Sequence, residues 1–437
     1  MKLELKNSTT YSSSVVEDRA RQLTNYVQGL GQVAADNNYE AAEASINLPV
    51  DDELLSVVEE LVAQKVSPKL RYIFVTGIGG SNLGTKAVYD ALVGYGDVLS
   101  ANHPKMIFVD TNNSTMLRFY VEELIPTIKE VEEFLVVSIS KSGGTTETMA
   151  NTEIILSALN KKFTDAEERT VVITDEGSLL WQGAGKAGLA KLAIPKMVGG
   201  RYSVLSAVGL FPLLAAGLDI RALRRGAADM RAKCISSEMV ENPALLSAAF
   251  LSLAHDDGKS IHDTFLFNSE LESLGKWYRQ LLGESIGKEF NLAGEKVNTG
   301  LTPTVSIGST DLHSVGQLYL GGPKDKVTTF VYNQNTDKQL SVPADRMFGE
   351  IATMINGKTT DEIVEAILEG VKIAYTQNDL PFMEIKLEGI NEYEIGAFMQ
   401  FKMLEVMYLG QLFNVNAFDQ PNVESYKVET KRILEDS

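Results

Sequence analysis

One glutamate of this sequence is a candidate catalytic base. Glu284 lies in the segment WYRQLLGESIGKE (277–289), in which apolar residues at helical spacing end at Gly283. A carboxylate at such a position is usually a solvated cap or an ion-pair partner. If it faces a partly desolvated cleft instead, burial raises its pKa and makes it a base able to remove a proton from carbon. The sequence leaves both interpretations open.

A second charged residue, Arg201, is set in the segment GGRYSVLSAVG (199–209). Most arginines are surface charges. This one follows two glycines, which let the backbone approach closely, and it precedes a predicted helix that begins at Ser203. Because a guanidinium stays protonated, an arginine in such a loop is a good candidate for stabilising developing negative charge.

Two glycine-rich and hydroxyl-rich segments are candidates for binding an anion. GIGGSNLG (77–84) and SISKSGGTTET (138–148) each follow an apolar run and precede a helical pattern. Backbone N–H groups and the helix dipole favour anions at such junctions, although tight packing and helix capping use the same residues. GIGGSNLG matches neither the dinucleotide-binding pattern nor the nucleotide P-loop. Together they predict a phosphate site built from neutral donors.

Two further segments add a histidine and a lysine. His313 lies in GSTDLHSVGQL (308–318), and the other three histidines have no comparable setting. Lys427 closes FDQPNVESYK (418–427), after a predicted turn at Pro421 and Asn422. A lone lysine is usually exposed to solvent, so Lys427 is of interest only together with the other segments.

These segments are positioned by short apolar runs that alternate with amphipathic stretches from about residue 70. Repeated β-α-β-α order predicts an α/β fold with a doubly wound parallel sheet and helices on both faces. A polar helical stretch at 220–241 interrupts the alternation, which then resumes, so a domain boundary is predicted near residue 235. The predicted strands are RYIFVTG, MIFVD, FLVVSIS, VVITD, TFLFN, TVSIG, TTFVYN and FMEIKLE.

The composition excludes several classes of function. The 437-residue chain has a formal net charge of −18, which repels nucleic acid and anionic lipid surfaces. Its single cysteine, Cys234, allows no internal disulfide and no thiolate metal cage, so a reducing compartment is expected. The N-terminus lacks the pattern of a secretory signal. The most membrane-like stretch (207–218) is too short to span a bilayer, so a buried helix is predicted there.

Taken together, the six segments resemble the phosphoglucose isomerase family, which is built from two sugar-isomerase (SIS) domains. They occur in the family's order between residues 77 and 427, and the close spacing and short chain resemble its bacterial branch. The resemblance implies two doubly wound parallel-sheet domains, each an α-β-α sandwich. It places an N-terminal helical segment, packing on the second domain, at 1–60, the phosphate-binding first domain at 61–235, and the second domain with its C-terminal helices at 236–437.

The resemblance also implies an activity. Family members interconvert glucose 6-phosphate and fructose 6-phosphate in glycolysis and gluconeogenesis, by ring opening and proton transfer through a cis-enediol. The implied partner is therefore a sugar phosphate, with no metal, no organic cofactor, no nucleic acid and no membrane, and the implied location is cytoplasmic. The family's site is completed by a histidine of the neighbouring subunit, so a homodimer is implied as well.

Roles for individual residues follow from the same resemblance. Glu284 would move a proton between C2 and C1, and Arg201 would stabilise the enediol. His313 and Lys427 would open the sugar ring. The implied substrate-binding residues, among which Lys141 contributes its backbone amide, are Gly79, Ser81, Ser140, Lys141, Ser142, Thr145 and Gln280.

Two residues depart from the family pattern. Gly144 stands where relatives often have threonine, and Asn422 replaces a glycine in a turn that asparagine tolerates.

Two alternative functions stay open. The first is an isomerase that also accepts mannose 6-phosphate. The second is a sugar-phosphate-sensing regulator, which would have no reason to keep Glu284, His313, Lys427 and Arg201 together.

Overall fold

The computed structural model describes residues 1–5, 10–94, 96–99, 103–333 and 340–436. This part of the chain forms two five-stranded sheets and a two-stranded hairpin. In chain order the strands are β1 (Lys2–Glu4), β2 (Tyr72–Thr76), β3 (Lys105–Val109), β4 (Phe134–Ile139), β5 (Thr170–Asp175), β6 (Ala190–Ile194), β7 (Ile261–Leu266), β8 (Lys288–Phe290), β9 (Lys296–Thr299), β10 (Thr302–Ile307), β11 (Lys326–Asn333) and β12 (Phe382–Leu387).

Helices connect and cover these strands. They are α1 (Ser13–Arg21), α2 (Thr24–Asp36), α3 (Asp52–Lys65), α4 (Leu83–Val93), α5 (Gly96–Leu99), α6 (Ser114–Arg118), α7 (Thr146–Asn160), α8 (Leu179–Lys186), α9 (Ala207–Ala215), α10 (Ile220–Cys234), α11 (Pro243–Asp256), α12 (Glu272–Ile286), α13 (Gly316–Gly321), α14 (Thr360–Gln377), α15 (Glu392–Leu412) and α16 (Glu424–Asp436).

The first sheet is entirely parallel, with the strand order β3-β2-β4-β5-β6. The order in which strands are added to the sheet reverses between β2 and β4, because β3 lies on one side of β2 and all later strands lie on the other. Such a switch point leaves a crevice at the carboxyl ends of the two central strands, where α/β proteins bind ligands. The two predicted anion loops follow β2 and β4, so both open into this crevice.

Both faces of the first sheet are buried, which explains the continuous apolar runs of its central strands. Along β4, Phe134 and Val136 join one hydrophobic cluster, which includes residues of α7. The intervening Leu135 and Val137 point to the opposite face and join the large cluster that links the two sheets.

The second sheet repeats this topology and gains a strand from the N-terminus. Its order is β1-β12-β11-β7-β10, and all strand pairs are parallel except β1 with β12, where Leu3 lies opposite Ile385. One face packs on α11, α12 and α15 in the large shared cluster, and the other packs on α14. The prediction of two doubly wound sheets with helices on both faces is therefore confirmed.

Some predicted element boundaries were wrong. The sequence does not predict strand β6, an edge strand in which only Leu192 and Ile194 are buried and which therefore has no continuous apolar run. The sequence after β3 has a helical pattern that predicts a helix through Lys129, but the helix α6 ends earlier and passes into a π-helical stretch at Phe119–Leu124 and a short 3₁₀ turn at Ile125–Thr127. Pro126 lies in that 3₁₀ turn, and proline has no N–H to continue a helix.

The domain boundaries stay predictions. The boundary at residue 60 falls within α3, and the boundary at residue 235 lies directly after α10. The stretch assigned to an N-terminal helical segment also supplies strand β1 of the second sheet.

Candidate active site

The two anion loops lie side by side at the switch point of the first sheet. Strands β2 and β4 are hydrogen-bonded neighbours in which Thr76 pairs with Ser138, so both chains leave the sheet at the same edge. A Cβ at Gly77 would lie 3.1 Å from the carbonyl oxygen of Ile139. The loops therefore touch where the strands end, which supports the prediction of one shared anion site.

The loop after β4 is shaped to receive an anion. Ser140 Oγ and Thr145 Oγ1 lie 3.0 Å apart, and Gly143 has a φ of +70°, which a residue without a side chain adopts readily. Thr145 is the N-cap of α7, yet its side chain caps no amide of that helix. The first amides of α7 are thus left for a ligand. In the described part of the chain, the Ser81 and Ser142 hydroxyls have no hydrogen-bond partner.

Lys141 turns its side chain away from this loop. Its Nζ donates to the carbonyl oxygens of Lys196, at 2.7 Å, and Val198, at 2.8 Å. Burial lowers the pKa of this ammonium group. Only the backbone of Lys141 can face the anion, and its side chain instead holds the segment that leads into the Arg201 loop.

Close glycine packing brings the Arg201 loop to the first anion loop. The 3₁₀ turn Gly79–Ser81 packs on the 3₁₀ turn Gly200–Tyr202. A Cβ at Gly80 would lie 2.2 Å from the carbonyl carbon of Gly200, a distance at which no side chain fits. Gly79 has a φ of +60°, and its Cα faces the amide of Gln280, since a Cβ there would lie 2.9 Å from Gln280 Nε2.

Helix α12 carries Gln280 and Glu284 into the same crevice. It buries Leu274, Trp277, Tyr278, Leu281 and Leu282, the spacing of one helical face, and it packs on α4 behind the first anion loop. Gln280 and Glu284 lie four residues apart at the edge of that face, so they are one turn apart. Gln280 Nε2 donates to Glu284 Oε1 at 3.2 Å, and the Gln280 amide oxygen is buried without a partner in the described part of the chain.

Arg201 and Glu284 form an ion pair in which one partner is buried and the other is accessible. Arg201 Nη1 lies 3.5 Å from Glu284 Oε2, with side-chain exposures of 1% and 31%. All hydrogen-bond donors of the Arg201 guanidinium are satisfied, since each of its five N–H groups has an acceptor. The acceptors are Ser285 Oγ (2.8 Å), the carbonyl oxygens of Ala417 (2.7 Å) and Asp419 (3.1 Å), Glu284 Oε2 and Gln420 Oε1.

Three of the residues around this pair were not predicted. Ser285 and Lys288 lie within the WYRQLLGESIGKE segment, and Gln420 lies within FDQPNVESYK, so their segments were singled out but their side chains were not. Nothing in the spacing of those residues signals a partner more than 80 positions away. Lys288 Nζ donates to the carbonyl oxygen of Glu284 at 2.8 Å. The one signal of this bond in the sequence is a lysine just after the predicted end of a helix, where lysines commonly cap the last carbonyl groups.

His313 and Lys427 lie outside this group of contacts. His313 ends the 3₁₀ turn that follows β10, and its imidazole is exposed. Lys427 Nζ pairs with Glu424 at 2.7 Å on its own helix, α16, which buries none of its residues. The structure brings together the anion loops, Gln280, Glu284 and Arg201, and it leaves His313 and Lys427 without a contact to Glu284 or Arg201.

Neither a metal-binding group of side chains nor a membrane-spanning helix is present among the described residues. No group of three or more His, Cys, Asp or Glu side chains is placed to hold a metal ion within the ranges given above. Among the helices of those same ranges, none combines the length and apolar character needed to cross a bilayer.

Neutral anion donors at a switch point, beside a carboxylate paired with a buried guanidinium, form a candidate site for binding a phosphorylated substrate and moving a proton. Comparison with known proteins identifies the family of the chain. A family model described as phosphoglucose isomerase matches residues 49–437, and the chain belongs to that family. The match covers all six segments singled out in the sequence.

Individual relatives agree with this assignment. The chain is 34% identical over 390 residues to a glucose-6-phosphate isomerase of Carboxydothermus hydrogenoformans, covering 86% of this chain and 81% of the relative. It is 34% identical over 364 residues to one of Methanocaldococcus jannaschii, covering 83% and 84%. A solved structure of a hypothetical protein from Thermus thermophilus has 29% identity, a TM-score of 0.86 and 99% coverage of both chains. A glucose-6-phosphate isomerase structure from Chlamydia trachomatis, 22% identical with a TM-score of 0.79, shares the fold over 97% of this chain and 86% of its own.

Proposed function

We propose that this chain catalyses the reversible isomerisation of glucose 6-phosphate and fructose 6-phosphate in glycolysis and gluconeogenesis. The observation that carries the proposal is the pairing of Glu284 with buried Arg201 beside two anion loops. Aldose-ketose isomerisation needs one base that moves a proton between adjacent carbons, and a positive group beside the oxygens that become negative. Both are present, and the curated relatives carry the name of this activity.

The phosphoryl group binds at the two anion loops. Hydroxyls of Ser81, Ser140, Ser142 and Thr145, with the Lys141 amide and the first amides of α7, surround it with neutral donors. Neutral donors suit a dianion that must be released in each turnover, because they lack the strength of paired arginines. The sugar carbons then extend from this end of the crevice towards α12.

The proton transfer is assigned to Glu284. The carboxylate takes the proton from C2 of the open-chain aldose, the electrons form the C1–C2 double bond, and the cis-enediol results as O1 gains a proton. Glu284 returns its proton to C1 as O2 loses its proton and the carbonyl forms at C2, so the proton gained at O1 is balanced by the proton lost at O2 and no atom is lost or gained overall. Arg201 stabilises the negative charge on the enediol oxygens, and Gln280 and the Gly79 backbone hold sugar hydroxyls. This chemistry requires no metal and no organic cofactor.

A direct assay tests the proposal. Purified chain is incubated with fructose 6-phosphate, and formation of glucose 6-phosphate is followed through a coupled dehydrogenase, with and without a chelator. Turnover that the chelator does not affect supports the proposal, and no turnover contradicts it. Mannose 6-phosphate, assayed in parallel, reports whether the pocket also accepts the C2 epimer.

Gly144 provides a test of the phosphate loop. A Cβ at Gly144 would meet no heavy atom within 4 Å, and its φ lies outside the left-handed region. Gly144→Thr should therefore add a hydroxyl donor without strain. One more hydrogen bond to a charged acceptor is worth about 1 kcal/mol or slightly more. We expect KM for fructose 6-phosphate to fall about fivefold with kcat unchanged, because the bond stabilises substrate and transition state equally.

The matched control is Gly144→Val, which has nearly the same shape and no hydroxyl. Its KM should stay at the wild-type value. An equal gain in the valine variant would show that the hydroxyl does not act on phosphate.

Ring opening is assigned to His313 and Lys427, with His313 supplied by the partner subunit of a homodimer. The exposure of His313, away from the Glu284–Arg201 pair of its own chain, supports a role in another subunit's site. The segment 340–354 also presents a group of exposed apolar side chains, which larger assemblies commonly cover. They are Leu340, Met347, Phe348, Ile351 and Met354.

Mixing two inactive variants tests the shared site. His313→Ala and Glu284→Gln chains are each expected to lose activity as homodimers. After the two are unfolded and refolded together, half of the dimers are mixed, and each mixed dimer holds one site with both residues intact. Activity should return to about a quarter of wild type.

Light scattering of the same sample establishes whether dimers are present. Dimers that show no recovery would contradict a histidine supplied in trans. A monomer that is fully active would contradict the homodimer itself.

We also propose a cytoplasmic location. The substrates are metabolites of central carbon metabolism, and Cys234 is buried and unpaired, with burial raising the pKa of its thiol to about 12. A chain without an internal disulfide fits a reducing compartment. Fractionation of cells that produce the protein would test this location.

A further inference from the structure

A second buried cation, Lys288, lies directly behind the candidate base. It is the first residue of β8, four positions after Glu284, and only 5% of its side chain is exposed. Its Nζ donates to the carbonyl oxygens of Glu284, at 2.8 Å, and Asp419, at 2.5 Å, and lies 3.1 Å from Asp419 Oδ1. The three N–H groups of the ammonium thus have three acceptors. Burial lowers the pKa of Lys288, and the Asp419 carboxylate opposes that shift.

The hydrogen bond from Lys288 to the Glu284 carbonyl caps the C-terminal end of α12. Helix α12 ends at Ile286, so the carbonyl of Glu284 is among the last four, which have no partner within the helix. A lysine that donates to such a carbonyl also interacts favourably with the negative end of the helix dipole. Lys288 therefore fixes the backbone of the residue whose carboxylate faces the crevice.

The bonds to Asp419 fix the other wall of the site. The Asp419 carbonyl accepts from both Lys288 Nζ and Arg201 Nη2, at 2.5 and 3.1 Å. Arg201 also binds the Ala417 carbonyl and the Gln420 side chain. Two buried cations, one from each side of the crevice, thus hold the loop 417–420, and this loop leads to α16 and Lys427.

We propose that Lys288 is a positioning residue for proton transfer, holding the Glu284 backbone and the loop 417–420 so that the carboxylate faces Arg201. This inference rests on the proposed function, because it takes Glu284 as the base. Lys288 has no contact with the anion loops, which belong to the first sheet. Displacement of a catalytic group by about 1 Å can lower the rate about 100-fold, so its removal should affect the chemical step and leave phosphate binding intact.

The main test replaces Lys288 with methionine, which keeps the length of the side chain and removes its donors. We expect kcat for fructose 6-phosphate to fall about 100-fold, with KM and the competitive inhibition constant of inorganic phosphate within about threefold of wild type. Exchange of the C1 proton with solvent should fall by the same factor as kcat. The loss should be equal for 5-deoxyfructose 6-phosphate, which cannot form a ring, because ring opening is not the step affected.

Matched variants separate positioning from general stability. Lys296→Met makes the same chemical change on the neighbouring strand β9, where exposed Lys296 pairs with Glu289 at the surface, so its kcat should stay within about threefold of wild type. Lys288→Arg keeps the charge with a different donor geometry, and its kcat should fall about tenfold at constant KM. If the methionine variant does not fold, the arginine variant decides the question.

Several results would overturn the inference. A methionine or arginine variant with wild-type kcat would do so, as would a rise in KM and in the phosphate inhibition constant that matches the fall in kcat. Loss of activity that is explained by the unfolded fraction, measured by circular dichroism, would also do so. Failure of the proposed function is distinguishable, since it would appear as an inactive wild-type chain or as a fully active Glu284→Gln variant.

Discussion

Glu284→Gln is expected to abolish isomerisation and to leave phosphate binding unchanged. The amide has the shape of the carboxylate and can still accept from Gln280 Nε2 or Arg201 Nη1, which lie 3.2 and 3.5 Å from the carboxylate oxygens. It cannot take a proton from carbon. General base catalysis contributes about 10²- to 10⁴-fold, and no described carboxylate other than Glu284 contacts Arg201. We therefore expect kcat to fall about 10⁴-fold.

Two measurements separate the chemical step from binding in this variant. Exchange of the C1 and C2 protons with deuterated solvent should disappear together with turnover. The dissociation constant of inorganic phosphate, measured by ligand-induced thermal shift, should stay within about threefold of the wild-type value, because the anion loops are not altered.

The matched control is Glu272→Gln, on the same helix. Glu272 is exposed and pairs with Lys276 on the protein surface, so the same chemical change there should leave kcat and KM unchanged. Wild-type turnover or undiminished proton exchange in Glu284→Gln would refute the assignment of the base.

Lys402→Met is expected to lower the free energy of unfolding by about 3 to 5 kcal/mol. Lys402 and Glu405 lie on α15 with both side chains fully buried, and Lys402 Nζ lies 3.0 Å from each carboxylate oxygen. Tyr278 and Ser247 also donate to that carboxylate. Removing the ammonium leaves a buried carboxylate without a counter-charge, which is strongly destabilising. Urea unfolding at neutral pH measures the loss.

A second substitution tests the cause of that loss. In Lys402→Met/Glu405→Gln the remaining group is neutral and can still accept from Tyr278 or Ser247, so most of the lost stability should return. Lys431→Met, a change on exposed α16, is the control and should shift stability by less than about 0.5 kcal/mol. A single variant as stable as wild type, or a double variant no better than the single one, would contradict the explanation.

The buried pair also connects stability to the site. Tyr278, which donates to Glu405 at 2.5 Å, is buried on α12, on the turns that precede Glu284. Its neighbour in this network, His262, is fully buried on β7, and burial holds the pKa of that imidazole well below its usual range. The helix that carries the candidate base is thus held near its middle by this polar network and near its C-terminal end by Lys288 and Arg201.

The sequence alone determined the local parts of this protein. Continuous apolar runs predicted strands such as β2 and β4, because both faces of the sheet are buried. The glycine-rich and hydroxyl-rich loops followed from their position between strand and helix. Helical spacing of apolar residues predicted the helix that leads up to Glu284, and the joint match of six segments predicted the family that the comparisons confirm.

The tertiary structure alone decided which residues surround Arg201. Its acceptors lie on α12 and on the loop 417–420, more than 80 and more than 200 positions along the chain. The close approach of Gly80 to Gly200 likewise joins residues that are 120 positions apart. Such contacts depend on how α12 and the two sheets pack, and no local pattern of residues encodes that packing. Lys288 and Ser285 read as ordinary polar residues in the sequence, and only burial beside Glu284 distinguishes them.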